Sequence, residues 1–304
     1  MAGHLGRVGR GAKHPPMGDD RVMPIGPSTF DRSEFRVAEL LGAKGDRTVS
    51  VCIPARDEAA TVGAVVRAVT LPHLAEAGGS GLVDEVLVVD DGSSDETAAV
   101  ARAAGASVLG LEGAGGKGQA MAAAIEAASG DLLVFLDADV QNTTEAFVTG
   151  LLGPLLTDGA VALVKGCYER PLHGEPTGGG RVTELVARPL IELVFPELVG
   201  VRQPLAGETA APRWALDKVE LADGYGVELA LLVDIASRFG TGAIAQVDLG
   251  VRVHRNRPLA ELRPQALDVL RAGLERAGLE RAGLERAGLA LGRSPTNPSV
   301  GPAG

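Results

Sequence analysis

Between residues 48 and 140 the chain alternates between short apolar runs and segments with helical periodicity. Thr48 to Pro54 and Glu85 to Val89 are runs of strand-forming residues, and Leu132 to Leu136 is a third. Between the first two, Val62, Val65, Val66 and Val69 recur at i, i+3, i+4 and i+7, one face of a helix. A second helix is expected after Asp95-Glu96-Thr97, and a third over Gln119 to Ala128. The order β-α-β-α-β-α-β predicts an α/β fold, a parallel sheet with helices on both faces.

Each predicted strand runs into polar, acid-rich residues. The first meets Ala55-Arg56-Asp57-Glu58, the second Asp90-Asp91-Gly92-Ser93, and the third Asp137-Ala138-Asp139. In a parallel sheet these ends gather at one rim, where ligands of α/β proteins bind. Two carboxylates as close as Asp137 and Asp139 repel each other unless a cation joins them, and a hard divalent ion prefers oxygen ligands. Such an ion at a sheet rim suits a diphosphate.

Farther along lie Gly116-Lys117-Gly118, Gly178 to Leu185, Gly224-Tyr225-Gly226-Val227-Glu228 and His254-Arg255-Asn256-Arg257. The strand-end motifs with Gly116-Lys117-Gly118 resemble the nucleotide-sugar half of a GT-A glycosyltransferase. The later motifs resemble, more narrowly, the glucosyl-3-phosphoglycerate synthases, with the mannosyl-3-phosphoglycerate synthases close by. The likeness spans about residues 45 to 265 by motif order. It implies a GT-A fold: a Rossmann-like nucleotide-sugar-binding half with a mainly parallel sheet, and a smaller acceptor-binding half. We therefore expect residues 31–140 to bind the donor and 141–265 the acceptor, between a disordered segment at 1–30 and a repeat helix with a flexible tail at 266–304.

The resemblance implies metal-dependent, retaining transfer of glucose from UDP-glucose or GDP-glucose to the C2 hydroxyl of 3-phosphoglycerate. Nucleotide-sugar contacts are expected at Pro54, Ala55, Glu58, Asp91, Lys117, Asp137 and Ala138. Synthases of the glucosyl type often carry Ser where Asp91 stands, which leaves uridine and guanosine both open. Asp139 is expected to ligate Mg²⁺ or Mn²⁺ with His254, while Asp137 holds the sugar or supports the ligands. Three glycines before a helical pattern, followed by Arg181 and Thr183, form an anion site for the acceptor, although Thr183 as a simple helix cap fits the pattern too. Gly180, Tyr225 and Asn256 complete the acceptor contacts. Glu228, with Asp137, is expected at the reacting sugar, since a carboxylate before an apolar helix is costly to bury without a purpose.

Composition narrows the alternatives. Aromatics make up 3% of residues and the net charge is −10, which disfavours a nucleic-acid surface. Cys52 and Cys167 offer no disulfide framework and fit a reducing cytoplasm. No signal-peptide pattern or membrane-length apolar run is found, which counts against a polyprenyl-phosphate glycosyltransferase. A non-catalytic nucleotide-sugar-binding protein would need a broken metal site, yet Asp137, Asp139 and His254 are all present. A sugar nucleotidyltransferase would need a glycine-rich loop near Pro54. A homodimer is implied by the family alone. Near the C-terminus, Arg-Ala-Gly-Leu-Glu repeats from Arg271; a period of five winds its leucines around a helix, so an expanded, permissive tail is the expectation.

Overall fold

The computed structural model describes residues 26–73, 81–113, 115–172, 175–178, 180–253 and 258–279. In chain order the elements begin β1 (Ser28–Asp31), α1 (Val37–Lys44), β2 (Val49–Ala55), α2 (Val62–His73), β3 (Glu85–Asp90), α3 (Thr97–Ala103) and β4 (Ser107–Gly110). Then come α4 (Lys117–Ala127), β5 (Leu132–Phe135), α5 (Glu145–Thr157), β6 (Leu163–Glu169) and a hairpin of β7 (Pro171–Leu172) and β8 (Glu175–Gly178). The rest is α6 (Arg188–Val194), β9 (Thr209–Pro212), α7 (Arg213–Leu216), α8 (Val227–Phe239), β10 (Ile244–Val251) and α9 (Leu259–Arg276).

Eight strands form one sheet in the order β1-β10-β6-β9-β5-β2-β3-β4. All neighbours are parallel except β9, which runs antiparallel to both β5 and β6. The expected α/β fold with a mainly parallel sheet is therefore present, and its one reversal matters for the site. Because β9 points the other way, its first residue, Thr209, pairs with the last residue of β5, Phe135. The residues just before β9 thus reach the rim where the parallel strands end.

The sheet is buried on both faces. Val51, Ile53, Val88 and Val134 pack with α2 and α5 on one side, and Cys52, Val89, Leu133 and Phe135 pack with α4 and α8 on the other. Side chains alternate across a strand, so a strand covered on both faces reads as a continuous apolar run. The predicted helical face of α2 is fully buried at Val62, Val65, Val66 and Val69, and burying each contributes roughly 1.5–3 kcal/mol.

Two expected boundaries shift. Residues 28–31 form an edge strand, parallel to β10 with Ser28 opposite Ala245, and Phe30 packs 5.6 Å from Phe35. Ladder hydrogen bonds and this aromatic contact order them despite a Gly- and Pro-rich approach; the rest of the expected disordered segment, residues 1–25, lies outside the described residues. At the other end α9 runs unbroken across residue 265 and takes in the first copy of the repeat. Val269, Ala272 and Gly273 are its buried positions, at i, i+3 and i+4. Gly273 is there for fit: a Cβ would lie 2.5 Å from Leu190 Cδ2. Repeat copies beyond Leu279 lie outside the described residues.

Candidate active site

A cleft of about 300 Å³ opens at the C-terminal rim of the parallel strands. Its floor is built from three strand ends. Pro54 and Ala55 close β2, Asp91 follows β3, and Asp137, Ala138 and Asp139 follow β5. The loops after β2 and β3 are stitched together: the Glu58 N–H donates to Thr97 Oγ1 at 2.8 Å, and the Asp57 carboxylate accepts from the Ser94 N–H at 2.8 Å. Asp57 has a left-handed φ of 54°, a conformation Asp tolerates because its short side chain bonds locally.

Asp91 shapes this side of the cleft indirectly. Its two oxygens accept from the N–H groups of Gly115 and Gly116, at 2.8 and 2.9 Å. That clamp holds the turn that starts α4, with Lys117 as the first helical residue and Gly116 at φ 89°. The glycines beside Lys117 meet a second requirement. A Cβ on Gly118 would collide with the Ala222 carbonyl oxygen, and one on Gly116 would sit 3.3 Å from the Gly224 Cα. The Gly-Lys-Gly motif therefore lets the start of α4 press against the loop that carries Tyr225 and leads into α8.

A chain of opposite charges lies along the cleft. Lys117 Nζ is 2.7 Å from Asp137 Oδ1 and 2.9 Å from Glu228 Oε1. Lys165 Nζ contacts the other Glu228 oxygen at 2.7 Å. Arg252 Nη2 bridges Asp137 at 2.6 Å and Asp139 at 3.1 Å, while its Nε pairs with Glu208 at 2.9 Å. Gly207 makes room for Asp137, because a Cβ there would overlap the carboxylate. Burial alone would raise the Asp137 pKa, but Lys117 and Arg252 outweigh it and hold the group well below the usual carboxylate range. For Glu228 burial likewise pushes upward, and Lys117 and Lys165 reverse the direction. Burial would lower the Lys117 pKa, yet Asp137 and Glu228 raise it, so the ammonium stays charged.

The opposite wall carries Gly180 at φ 75°, Arg181 and Thr183, followed by α6. Thr183 is buried and is the first residue of the helical turn Thr183–Ala187, whose N-cap position is held by Val182. Tyr225 and Glu228 face the same space from the loop before α8 and from its first turn. Leu262, Gln265 and Val269 of α9 close one side. Pro54, Ala55, Glu58, Asp91, Lys117, Asp137, Ala138, Asp139, Gly180, Arg181, Thr183, Tyr225 and Glu228 thus line one cavity. His254 and Asn256 lie outside the described residues.

The model of glycosyl transferase family 2 matches residues 50–189. A glucosyl-3-phosphoglycerate synthase of Mycolicibacterium smegmatis is 49% identical over 253 residues, 80% of this chain and 82% of that protein. This chain belongs to the glucosyl-3-phosphoglycerate synthase family. A family member from Petrotoga mobilis is 42% identical over 261 residues, 81% of this chain and 79% of that one. Among solved structures, the Mycobacterium tuberculosis synthase in complex with Mn²⁺, UDP-glucose and phosphoglyceric acid has a TM-score of 0.75 at 44% identity, covering 83% of this chain and 88% of that chain. The same synthase has also been solved with Mn²⁺, UDP and glucosyl-3-phosphoglycerate.

Against this family background, the donor atoms fit a hard divalent ion. Asp137 and Asp139 present carboxylates at the floor of the cleft, and Mg²⁺ characteristically takes one or two carboxylates plus substrate phosphates. Among the described residues no third Asp, Glu, His or Cys completes a ligand cluster. Four charged residues of the cleft region went unnoticed in the sequence: Lys165, Glu208 and Arg252, which belong to the charge chain, and Arg170, which stacks 5.1 Å from the centre of the Tyr168 ring. A signal existed for two of them. Lys165 interrupts the apolar stretch Val161 to Cys167, and Arg252 stands between Val251 and Val253.

Proposed function

We propose that this chain transfers glucose from a nucleotide diphosphate sugar, UDP-glucose or GDP-glucose, to the C2 hydroxyl of 3-phosphoglycerate, with Mg²⁺ or Mn²⁺. One observation carries the reading: the Asp137 and Asp139 strand end, Lys117 and Glu228 share a single cleft with Gly180, Arg181 and Thr183. A diphosphate and a second, smaller anion need such opposed sites, one at each end of the space where the hexose lies.

Pro54, Ala55, Glu58, Asp91 and Ala138 form the donor wall in this reading. Lys117 meets the diphosphate, and Asp137 and Glu228 orient the hexose. Gly180, Arg181, Thr183, Tyr225 and Asn256 hold the acceptor anion. Asp139 and His254 hold the metal, which supplies charge neutralisation for the departing diphosphate. The bond from the anomeric carbon to the diphosphate oxygen breaks as the bond to the acceptor oxygen forms. The acceptor hydroxyl proton passes to the leaving phosphate oxygen. Asp137 and Glu228 are both engaged in ion pairs, which suits positioning better than nucleophilic attack. Front-face displacement with retention follows. The reading includes a homodimer and a cytoplasmic site of action, supported by the family resemblance and by two buried free thiols. Among the described residues no helix is long and apolar enough to cross a membrane.

The test is nucleotide diphosphate release from UDP-glucose, GDP-glucose and GDP-mannose, each with Mg²⁺, with and without 3-phosphoglycerate. Release that requires 3-phosphoglycerate and a glucose donor is expected. Preference for GDP-mannose would move the chain to mannosyl transfer. Donor binding without 3-phosphoglycerate-dependent release would overturn the acceptor.

A further inference from the structure

Lys165 is the third residue of β6, opposite Gln246 on one neighbour and Thr209 on the other, and is 1% exposed. It shares a strand face with Leu163 and Cys167. A lysine in the middle of a covered sheet is costly unless its ammonium is fully engaged. Here Nζ donates to the Ala206 carbonyl at 2.6 Å and to Glu228 Oε2 at 2.7 Å. Stability alone does not call for such a pair, since apolar residues of similar volume often do as well or better.

The geometry around Glu228 supplies another reason. Its two oxygens are divided between two ammonium groups, Lys165 on the sheet side and Lys117 on the cleft side. Lys117 lines the cleft and already shares itself with Asp137, whereas Lys165 does not line the cleft. Only Lys117 is placed to turn toward a bound diphosphate. When it does, Glu228, 3% exposed, would be left as a buried charge without a counter-ion unless a second cation stays behind. The dipole at the start of α8 helps, but within one turn its contribution is modest.

We propose that Lys165 is a positioning residue: it neutralises Glu228 and aims it into the cleft while Lys117 is drawn to the donor diphosphate. The inference rests on the transferase reading for the identity of the donor, and it adds a residue that acts through Glu228 without touching substrate.

The experiment is a double-mutant cycle of Lys165→Met and Glu228→Gln, read as UDP-glucose affinity by calorimetry with Mn²⁺ and as kcat and both KM values. Lys165→Met should lower kcat/KM for the donor by about 100-fold and weaken donor binding by about tenfold, with the 3-phosphoglycerate KM little changed; on the Glu228→Gln background it should cost no more than about threefold in either. The double variant leaves no buried carboxylate without a cation at this point, so it keeps the cycle readable if Lys165→Met alone folds poorly. Equal costs on both backgrounds would mean that Lys165 does not act through Glu228, and wild-type-like kinetics of Lys165→Met would overturn the role altogether. A wild-type protein that binds donor but transfers nothing sinks the transferase reading, and the cycle on binding then decides Lys165 independently.

Discussion

The two halves of the sheet handle charge in different ways. In β2, β3 and β5 the strands are purely apolar or neutral through their centres, and the acids at the rim stand at or just beyond the strand ends: Asp90 is the last paired residue of β3, and Asp91, Asp137 and Asp139 follow their strands. Across β9, in β6 and beyond β10, charged side chains are embedded: Lys165 lies within its strand, Glu208 directly before β9 and Arg252 directly after β10, each at most 3% exposed. The first half offers charge to a ligand. The second half holds that charge in place, pairing Arg252 with Asp137, Asp139 and Glu208, and Lys165 with Glu228. A rim carboxylate is therefore only as well placed as the buried cation behind it.

Arg252→Met is the most severe way to break this comparison. It strands Glu208, whose other oxygen is buried without a hydrogen-bond partner, and removes the bridge between Asp137 and Asp139. A loss of about 3–5 kcal/mol in unfolding free energy is expected from the uncompensated buried carboxylate, with part of it recovered by adding Glu208→Gln. Denaturant unfolding of the two variants checks this; an Arg252→Met protein as stable as wild type would mean that the embedded charges are not structural supports.

Asp91→Ala tests the first half of the sheet, where the acid acts through backbone. Two buried-side N–H groups, of Gly115 and Gly116, lose their acceptor. We expect about 1–3 kcal/mol of lost stability and a donor KM roughly tenfold higher as Lys117 loses its fixed placement. Thermal unfolding with steady-state kinetics separates the two effects, and an unchanged donor KM would leave Asp91 as a purely structural clamp.

The smallest effect belongs to the surface. Glu184 pairs with Arg188 one helical turn away at 2.9 Å, with the Glu184 side chain 54% exposed. Glu184→Gln should change stability by no more than about 0.5 kcal/mol. A larger shift in the same denaturant assay would blur the line drawn here between embedded and exposed pairs.

Much of this was legible because strand ends are local. Asp137 and Asp139 could be placed at a rim from the apolar run before them, and the valine spacing of α2 fixed its buried face. The reversal of β9 was not legible: Thr209 to Pro212 is a short, unremarkable segment, and its direction is decided by pairing with β5 and β6. Nor could the sequence show that Gly116 and Gly118 serve a close approach to residues 222–224, more than 100 positions away. The repeat in α9 was misleading in the opposite sense. Its period argued for an expansion in a permissive tail, but in the first copy Ala272 packs close to Gly226 and Gly273 lets the helix approach Leu190 and Leu229.

The sequence by itself determined the class of fold and the rim at which Asp137 and Asp139 stand, because periodicity and strand-end chemistry depend on neighbours a few positions apart; the expected donor and acceptor contacts came mainly from the motif resemblance. The tertiary structure alone decided which cation answers which carboxylate. Ion pairing depends on distances of about 3 Å between side chains brought together by sheet order, and Lys165 and Glu228 are 63 positions apart along the chain, Arg252 and Asp137 115.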